Sequence, residues 1–453
     1  MLYLILLTGL ALAFLFTYVV LSIRDLRVPR LAFYTMLAGV LIANKGFATI
    51  GLGPLFIMDG LVGLSLLGVL VNRTGRTRLI RSRIAWLVLA GFLIVGCVAL
   101  ARGRAHGLNA VMDSVINFYA LAALVPIALF PDARAVRSFA CSLGVPAAIG
   151  AALFLSLQAM TQTSLGERLF TGSAATNATA GLILVVALWR RISLRRLTVV
   201  ILLAGAMLLG FARADWLGFT VAGTILLIAS GKGRKHFMRM AIVGAWLAAS
   251  AFVYMVAVRA PLANRVVGEV QSFFFKESSA TRDDPVANSA WRLTAWSETW
   301  DRRIRPNIVF GEGFGRPALD GTTILIEDPA IRDDPRVQVH NGYLTFLLRE
   351  GVVGLSLFLA FVLLPLRRCI VAARRLPEPE DRLLAMGIAG AILVYLVDIG
   401  FGVVIEGPMT ALPFWSLVGA GYAAAAYVPL THPSRHRIPA GTKERRRAEP
   451  AFR

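Results

Sequence analysis

Charged residues are scarce in this chain, and acidic residues are fewer than basic ones. Only 16% of the 453 residues are Asp, Glu, Lys or Arg, whereas 57% are hydrophobic. A soluble domain has roughly a quarter charged residues and about half apolar ones. The composition therefore excludes an ordinary soluble globular protein.

Cysteine and histidine are also rare. The three cysteines, Cys97, Cys141 and Cys369, lie outside the large hydrophilic segment of the chain. This placement excludes a disulfide framework and a cysteine-based metal site in that segment. With five histidines and no D-x-D or H-E-x-x-H motif, we expect no catalytic metal and no cofactor. The chain also lacks a Walker A motif, which excludes an ATP-driven pump within it.

What the sequence does contain is a succession of apolar runs of about 20 residues, the length that crosses a bilayer as a helix. These runs predict an all-α, polytopic membrane protein with about 12–13 transmembrane helices and one large hydrophilic loop containing short helices. The predicted spans lie near residues 2–22, 31–49, 52–71, 84–102, 111–130, 138–158, 174–189, 197–212, 216–230, 240–257, 341–366, 383–402 and 412–430. The predicted organisation is an N-terminal bundle (1–258), a loop or lid (259–340), C-terminal helices (341–430) and a basic tail (431–453).

The net charge of +21 does not indicate nucleic-acid binding, because the basic residues alternate along the chain. Most of them fall in every second connection between apolar runs and in the tail. Such connections face the cytoplasm, beside anionic lipid head groups. The large loop then lies on the outer side. Its residues 288–303 read as a helix with an apolar ridge of Leu293, Trp296 and Trp300, lying either at the membrane interface or on the loop's own core.

The segment HNGYLTFLLREGVVGL, residues 340–355, opens the long apolar helix that follows this loop. Helical spacing predicts that His340, Tyr343 and Glu350 share one face, followed by glycines for close helix contact. Ionisable groups at the end of a membrane helix are costly unless something pairs or uses them. We therefore interpret this segment as part of a functional site.

Two arginines complete the set of candidates on the outer side. Arg213 lies between two apolar runs, and Arg292 lies on the predicted loop helix. Arginines bind phosphate or pyrophosphate through forked hydrogen bonds, and a neutral histidine can take a proton from a hydroxyl. The pattern favours transfer from a phosphate-linked donor. The alternatives are a snorkelling Arg213, a solvated Arg292 and a His340 that caps a helix.

The motif VHNGYLTFLLREGVVGL resembles the signature of the O-antigen ligase and polysaccharide polymerase superfamily of bacterial inner membranes. The upstream stretches SAWRLTAWSETW and NIVFGEGFG are similar to the segments that precede the histidine in that family. GFARADWLG resembles the family's Ser-Arg-Gly motif, with Ala212 in place of serine and Ala214 in place of glycine. The resemblance covers about residues 205–405.

This resemblance implies a fold similar to GT-C glycosyltransferases and an active site that faces the periplasm. The donor would be an undecaprenyl-pyrophosphate-linked glycan, and the acceptor a sugar hydroxyl on lipid A-core. By position, Arg213 and Arg292 would hold the pyrophosphate and His340 would activate the acceptor hydroxyl. Glu350 would orient His340 or pair with an arginine. Tyr343 and Arg316 are further candidate substrate contacts.

Alternatives to the ligase prediction remain open. A polymerase of the same superfamily would use a carrier-linked glycan as acceptor. A polysaccharide flippase or transporter would also present arginines to a lipid pyrophosphate, but it needs charges deep in a cavity open to both sides. The candidates here cluster on one face, which favours an enzyme. A catalytically inactive scaffold of an export complex is the third alternative, because the motif around Arg213 is altered.

Overall fold

The computed structural model describes residues 2–52, 55–160, 173–189, 193–209, 213–229, 285–323, 339–376 and 378–426. The predicted span 240–257, both flanks of the large loop and the basic tail lie outside the described residues.

Sixteen α-helices account for most of the described chain. They are α1 (Leu2–Arg24), α2 (Arg27–Ala48), α3 (Ile57–Val71), α4 (Arg73–Arg81), α5 (Arg83–Arg102), α6 (Leu108–Asp113), α7 (Val115–Phe118), α8 (Leu124–Leu129), α9 (Ala133–Met160), α10 (Ser173–Leu188), α11 (Leu194–Leu209), α12 (Arg213–Ala229), α13 (Pro285–Thr299), α14 (Gly342–Arg375), α15 (Pro379–Ile399) and α16 (Pro408–Ala425). A two-stranded antiparallel ladder, β1 (Gly51–Leu52) with β2 (Leu55–Phe56), precedes α3.

The prediction of an all-α polytopic membrane protein is confirmed. Within the described residues, six helical segments are long and apolar enough to cross a membrane, and a bent pair makes a seventh. Three shorter apolar helical segments, 12–24, 173–188 and 214–228, lie below that length. The prediction of 12–13 spans exceeds this number, partly because several predicted spans are short and because the span 240–257 lies outside the described residues.

Two predicted spans are broken. The run 52–71 begins with the β ladder, and the 15-residue α3 that follows meets α4 at an angle of 91°. The run 111–130 divides into α6, α7, a 3-10 turn and α8. The Asp59 side chain explains part of the first break, because its carboxylate accepts hydrogen bonds from the Phe56 amide and the Tyr119 hydroxyl.

Helix α15 lies at the centre of the C-terminal half, and its packing surface is made of small residues. A Cβ added at Gly387 would lie 3.0 Å from the Ala187 side chain on α10. On α12, a Cβ added at Gly218 would lie 3.2 Å from the Val394 carbonyl oxygen. Small residues let membrane helices approach closely. Helices α10, α12 and α15 therefore form a tight group.

Helix α14 is broken near its start. Gly351 has a φ of +68°, which interrupts the helical hydrogen bonds there. Loop backbone replaces the missing bonds: the Val352 amide donates to the Ile308 carbonyl (2.8 Å), and the Glu312 amide donates to the Leu348 carbonyl (2.8 Å). Irregular backbone at membrane depth is tolerated where protein satisfies it. The break thus anchors the loop to the bundle, and we call this end of the bundle the loop side.

The predicted loop helix 288–303 is present as α13, which begins earlier, at Pro285, and continues into a π turn from Trp300 to Ile304. Trp296 packs on a small separate core that includes Ala295, Ile304 and Val339, and its indole donates to the Val339 carbonyl (2.6 Å). Leu293 and Trp300 on the same ridge are exposed. Of the three ridge residues, Trp296 therefore covers the loop's own core, and the other two do not.

Candidate functional site

His340 lies just before α14. Its φ of +54° is in the left-handed region, so it does not continue the helix. The helix starts at Gly342, and Asn341 caps it by accepting from the amides of Tyr343 and Leu344. The prediction that His340 shares a helix face with Glu350 is therefore wrong. A positive φ at a residue other than glycine is a strain that is often found at functional sites.

Arg292 approaches His340 from α13. The Arg292 Nη1 atom donates to the carbonyl oxygen of Phe401, in the turn that follows α15, at 2.8 Å. Its neighbour Trp291 packs edge-on against the His340 ring, with ring centroids 6.0 Å apart. The loop helix, the start of α14 and the end of α15 thus meet at one place, and two of the predicted site residues lie there.

His340 is kept neutral by its surroundings. Burial, together with the smaller effect of the positive charge of Arg292, lowers its pKa from 6.5 to about 4. At neutral pH the imidazole is therefore uncharged, and its unprotonated ring nitrogen can accept a proton. An anionic ligand on Arg292 would offset that positive charge and raise the pKa of His340, which strengthens it as a base when the ligand is bound.

Asp398 is a buried acidic residue at this place that the sequence analysis did not single out. It lies in the last turn of α15, 6% exposed, and its carboxylate accepts a hydrogen bond of 2.6 Å from the Thr176 hydroxyl on α10. Arg292 acts on it electrostatically. The available signal was a lone aspartate near the end of an apolar run, since such residues mark functional positions in membrane helices.

Tyr343 lies one turn into α14 beside the same group. Its hydroxyl donates to the Leu396 carbonyl oxygen on α15 at 2.6 Å, and its ring packs beside Gly400. The hydroxyl therefore ties α14 to α15. This contact places Tyr343 next to the candidate site, with its hydroxyl already engaged by backbone.

Glu350 lies away from His340, deep beside α5 and α7. It is fully buried, and its Oε2 atom accepts from the Asn117 amide at 3.2 Å. Within the described chain no arginine or histidine forms a hydrogen bond or ion pair with it. The expectation that Glu350 orients His340 or pairs with an arginine is therefore not met. The physical reason is that the helix begins only at Gly342, so His340 lies outside it, whereas Glu350 lies about two turns further along.

The neighbouring Arg349, which the sequence analysis passed over, is the centre of a buried ion network. Its Nε atom lies 2.8 Å from Asp113 of α6, and its Nη1 atom lies 3.2 Å from Glu312 of the loop. Arg303 also pairs with Glu312. All four side chains are at most 10% exposed. The network joins α6, α14 and the loop, so it fixes the loop rather than facing a substrate.

Arg316 lies at the rim of this network. Its side chain is 44% exposed and bridges Asp320 (2.7 Å), with Glu312 at 3.9 Å. The Arg316 guanidinium holds the pKa of Asp320 below its usual range. The structure therefore groups Arg316 with the ion network and gives it no contact with His340 or Arg292.

Arg213 is the first residue of α12, and its backbone is described while its side chain is not. Two residues later, Asp215 is fully buried and close enough to Asp398 to interact electrostatically. The start of α12 thus reaches the same corner as Arg292. In the described part of the chain, no group of three or more His, Cys, Asp or Glu residues could hold a metal ion.

Comparison with known protein families finds a match to the segment that contains Arg213, Arg292 and His340. The family model described as O-antigen ligase matches residues 197–359, from the start of α11 to the first part of α14. This match supports the resemblance of residues 197–359 to the O-antigen ligase and polysaccharide polymerase superfamily. The match encloses Arg213, Arg292 and His340, and Asp398 lies beyond it. The resemblance found in the sequence is confirmed.

The similarity over this segment supports a membrane glycosyltransferase of the O-antigen ligase or polymerase type. No curated protein matches the sequence. The donor, the acceptor and the roles of individual residues are therefore argued from the site itself.

Proposed function

We propose that this protein transfers a glycan from an undecaprenyl-pyrophosphate carrier to a sugar hydroxyl of lipid A-core, at the periplasmic face of the bacterial inner membrane. The observation that carries the proposal is the meeting of Arg292 and His340 within the segment that matches the O-antigen ligase family. Arg292 can neutralise a leaving pyrophosphate, and His340 is a neutral base.

In this scheme the acceptor hydroxyl oxygen attacks the anomeric carbon of the donor sugar. The bond between that carbon and the pyrophosphate oxygen breaks, and undecaprenyl pyrophosphate leaves. His340 takes the hydroxyl proton, and direct attack inverts the anomeric centre. Because pyrophosphate is a good leaving group once its charge is neutralised, positioning and electrostatics can supply most of the rate without a metal or cofactor.

Arg292 is proposed as the first pyrophosphate ligand. Its Nη1 atom is held by the Phe401 carbonyl, which fixes the guanidinium plane without cancelling its charge. Arg213, at the start of α12, is proposed as the second pyrophosphate ligand on the basis of the family motif. Tyr343 is proposed as a wall of the acceptor side, through its position beside His340.

A polymerase of the same superfamily is the alternative, since it would use the same chemistry with a carrier-linked glycan as acceptor. A flippase would need the arginines to be reachable from both sides of the membrane, whereas Arg292 and His340 lie on the loop side.

A deletion strain separates these functions. A ligase deletion loses long-chain lipopolysaccharide and accumulates carrier-linked polymer. A polymerase deletion leaves single repeats, and a flippase deletion leaves carrier-linked repeats facing the cytoplasm. Transfer by the purified protein is expected to survive excess EDTA, and a loss that magnesium or manganese restores would contradict the metal-free scheme.

A further inference from the structure

Residues 308–315 of the loop, IVFGEGFG, pack into the side of the helical bundle. Gly311 has a φ of +64° and Gly313 a φ of +98°. A Cβ added at Gly311 would overlap the carbonyl group of Arg349 on α14, and one added at Gly313 would lie 2.9 Å from the Ala99 carbonyl oxygen on α5. Only glycine combines these φ values with so close a backbone approach. The glycines of this segment therefore fit it against α5 and α14.

Helix α14 shows how deep the segment lies. The Val353 amide donates to the Val309 carbonyl oxygen at 3.2 Å. Arg367 is exposed, and exposed charges stay out of the hydrocarbon layer, so it marks the opposite end of this span. At a rise of about 1.5 Å per residue, Val353 lies roughly 21 Å from Arg367 along the helix. The hydrocarbon layer is about 30 Å thick. The backbone at Val309 therefore lies within that layer.

Helix α5 gives a second, independent measure of the depth. It has 20 residues and runs from Arg83 to Arg102, so its length of about 30 Å matches the hydrocarbon thickness. The Phe314 amide donates to the carbonyl oxygen of Ala99, one turn inside Arg102, at 3.2 Å. The Arg102 Nη1 atom donates to the Phe310 carbonyl oxygen at 3.0 Å. The segment thus lies at the edge of the hydrocarbon layer and just inside it.

Protein groups satisfy the backbone of this segment. The Gly313 amide donates to the Arg349 carbonyl oxygen at 3.1 Å. The Gly315 amide donates to the Asp113 carboxylate at 2.9 Å. Water can serve such groups in a loop that solvent surrounds, whereas hydrocarbon cannot, so irregular backbone at membrane depth needs protein partners. The hydrogen bonding of the segment therefore agrees with its depth.

The side chains of the segment are sorted by polarity. Val309 and Phe310 are 52% and 57% exposed, and Val352 beside them on α14 is 45% exposed. Glu312, the only acidic residue of the segment, is 10% exposed and pairs with Arg303 inside the protein. The outward surface is therefore apolar, and the charge points inward. Large apolar side chains grouped on a surface at this depth suit lipid better than water.

We propose that residues 308–315 form a wedge that inserts into the bilayer on the loop side, where lipid acyl chains cover Val309 and Phe310. The depth identifies lipid as the occupant, because hydrocarbon surrounds an outward side chain at this level. The wedge fixes the height of the loop, and of its buried ion network, relative to the lipid head groups. The large loop is then partly embedded in the membrane and does not lie wholly in water as a free lid.

The test is the accessibility of nitroxide spin labels on the purified full-length protein in vesicles of phosphatidylcholine and phosphatidylglycerol. Phe310→Cys and Val309→Cys are made singly in a background without the native cysteines. Relaxation of each label by oxygen, which concentrates in hydrocarbon, is compared with relaxation by a water-soluble nickel chelate. Leu87→Cys, at an exposed position of the α5 span, is the lipid reference, and Ser297→Cys, at an exposed position of α13, is the water reference.

We expect the ratio of oxygen to chelate accessibility at positions 309 and 310 to be several-fold higher than at Ser297 and close to that at Leu87. Both wedge side chains are exposed, so the labels should not disturb folding, and either variant is sufficient if the other does not fold. A ratio like that at Ser297 would place the segment in water and overturn the proposal. Labels that neither reagent reaches would overturn it too, because protein would then cover the wedge. No step requires glycan transfer, so the result stands apart from the proposed function.

Discussion

Arg292 reaches across from the loop helix α13 and donates a 2.8 Å hydrogen bond to the Phe401 carbonyl oxygen beyond the end of α15. The bond uses one of the five guanidinium N–H groups and leaves the positive charge in place. It fixes the arginine beside His340, whose ring also packs on Trp291. A loop residue and two membrane helices are thereby held in one site.

The first prediction concerns the geometry of Arg292. We expect Arg292→Ala to abolish transfer and Arg292→Lys to restore only a small part of it, because an ammonium group cannot reproduce a forked contact to pyrophosphate. Initial rates of transfer at varied donor concentration measure both variants. Arg305→Ala is the matched control, since Arg305 is an exposed arginine of the same segment. Full recovery by lysine would show that charge alone suffices.

The second prediction concerns acid stability. The pKa of His340 is about 4 in the folded protein and about 6.5 when unfolded, so the unfolded state binds more protons between these values. The contribution of His340 to the free energy of unfolding is complete above pH 6.5 and is lost as pH falls toward 4. Between pH 7 and pH 5 the loss is about 1–2 kcal/mol. Chemical unfolding of His340→Gln should lack this loss, and an unchanged pH slope would contradict the burial of the imidazole.

The third prediction concerns the ion network around Arg349. Arg349→Met leaves Asp113 and Glu312 without one of their buried partners, which costs about 3–5 kcal/mol when a charge stays uncompensated. Arg316→Met removes an exposed arginine that also approaches Glu312, and such pairs contribute about 0–1 kcal/mol. Chemical denaturation measures the free energy of unfolding of the two variants and of wild type. Equal losses would mean that the network does not hold the loop.

The fourth prediction concerns the orientation in the membrane. Single cysteines at Ser297 on α13 and at Thr77 on the basic α4, both exposed, are placed in a background without the native cysteines. An impermeant maleimide applied to intact spheroplasts should label the cysteine at 297 and spare that at 77, because basic segments face the cytoplasm. The reverse pattern would invert the topology and remove the site from the periplasm.

The class of fold and the location of the site follow from simple features of the sequence. Runs of apolar residues of bilayer length are sufficient for an all-α membrane protein, and the short segment from His340 to Glu350 marks the start of α14 beside the loop. The exact boundaries of individual helices are harder to predict from the sequence. The break at Gly351 depends on backbone supplied by residues 308–313, which no local pattern in α14 indicates.

The partners of the buried charges are the part that the sequence does not reveal. Arg349 stands next to Glu350, and helical spacing cannot tell which of the two faces the loop. The answer depends on Asp113, which is more than 200 residues earlier in the chain. Asp215 and Asp398 are likewise brought together only by the close packing of α12 on α15.

The most direct test of the account is transfer by the purified protein from an undecaprenyl-pyrophosphate-linked glycan to lipid A-core, measured for wild type and for His340→Ala. Loss of a general base typically lowers the rate by about 10²–10⁴. We expect a loss of this size in a variant that still folds and still binds the donor. If His340→Ala keeps near-normal turnover, the histidine is not the base, and the proposed chemistry of this site is wrong.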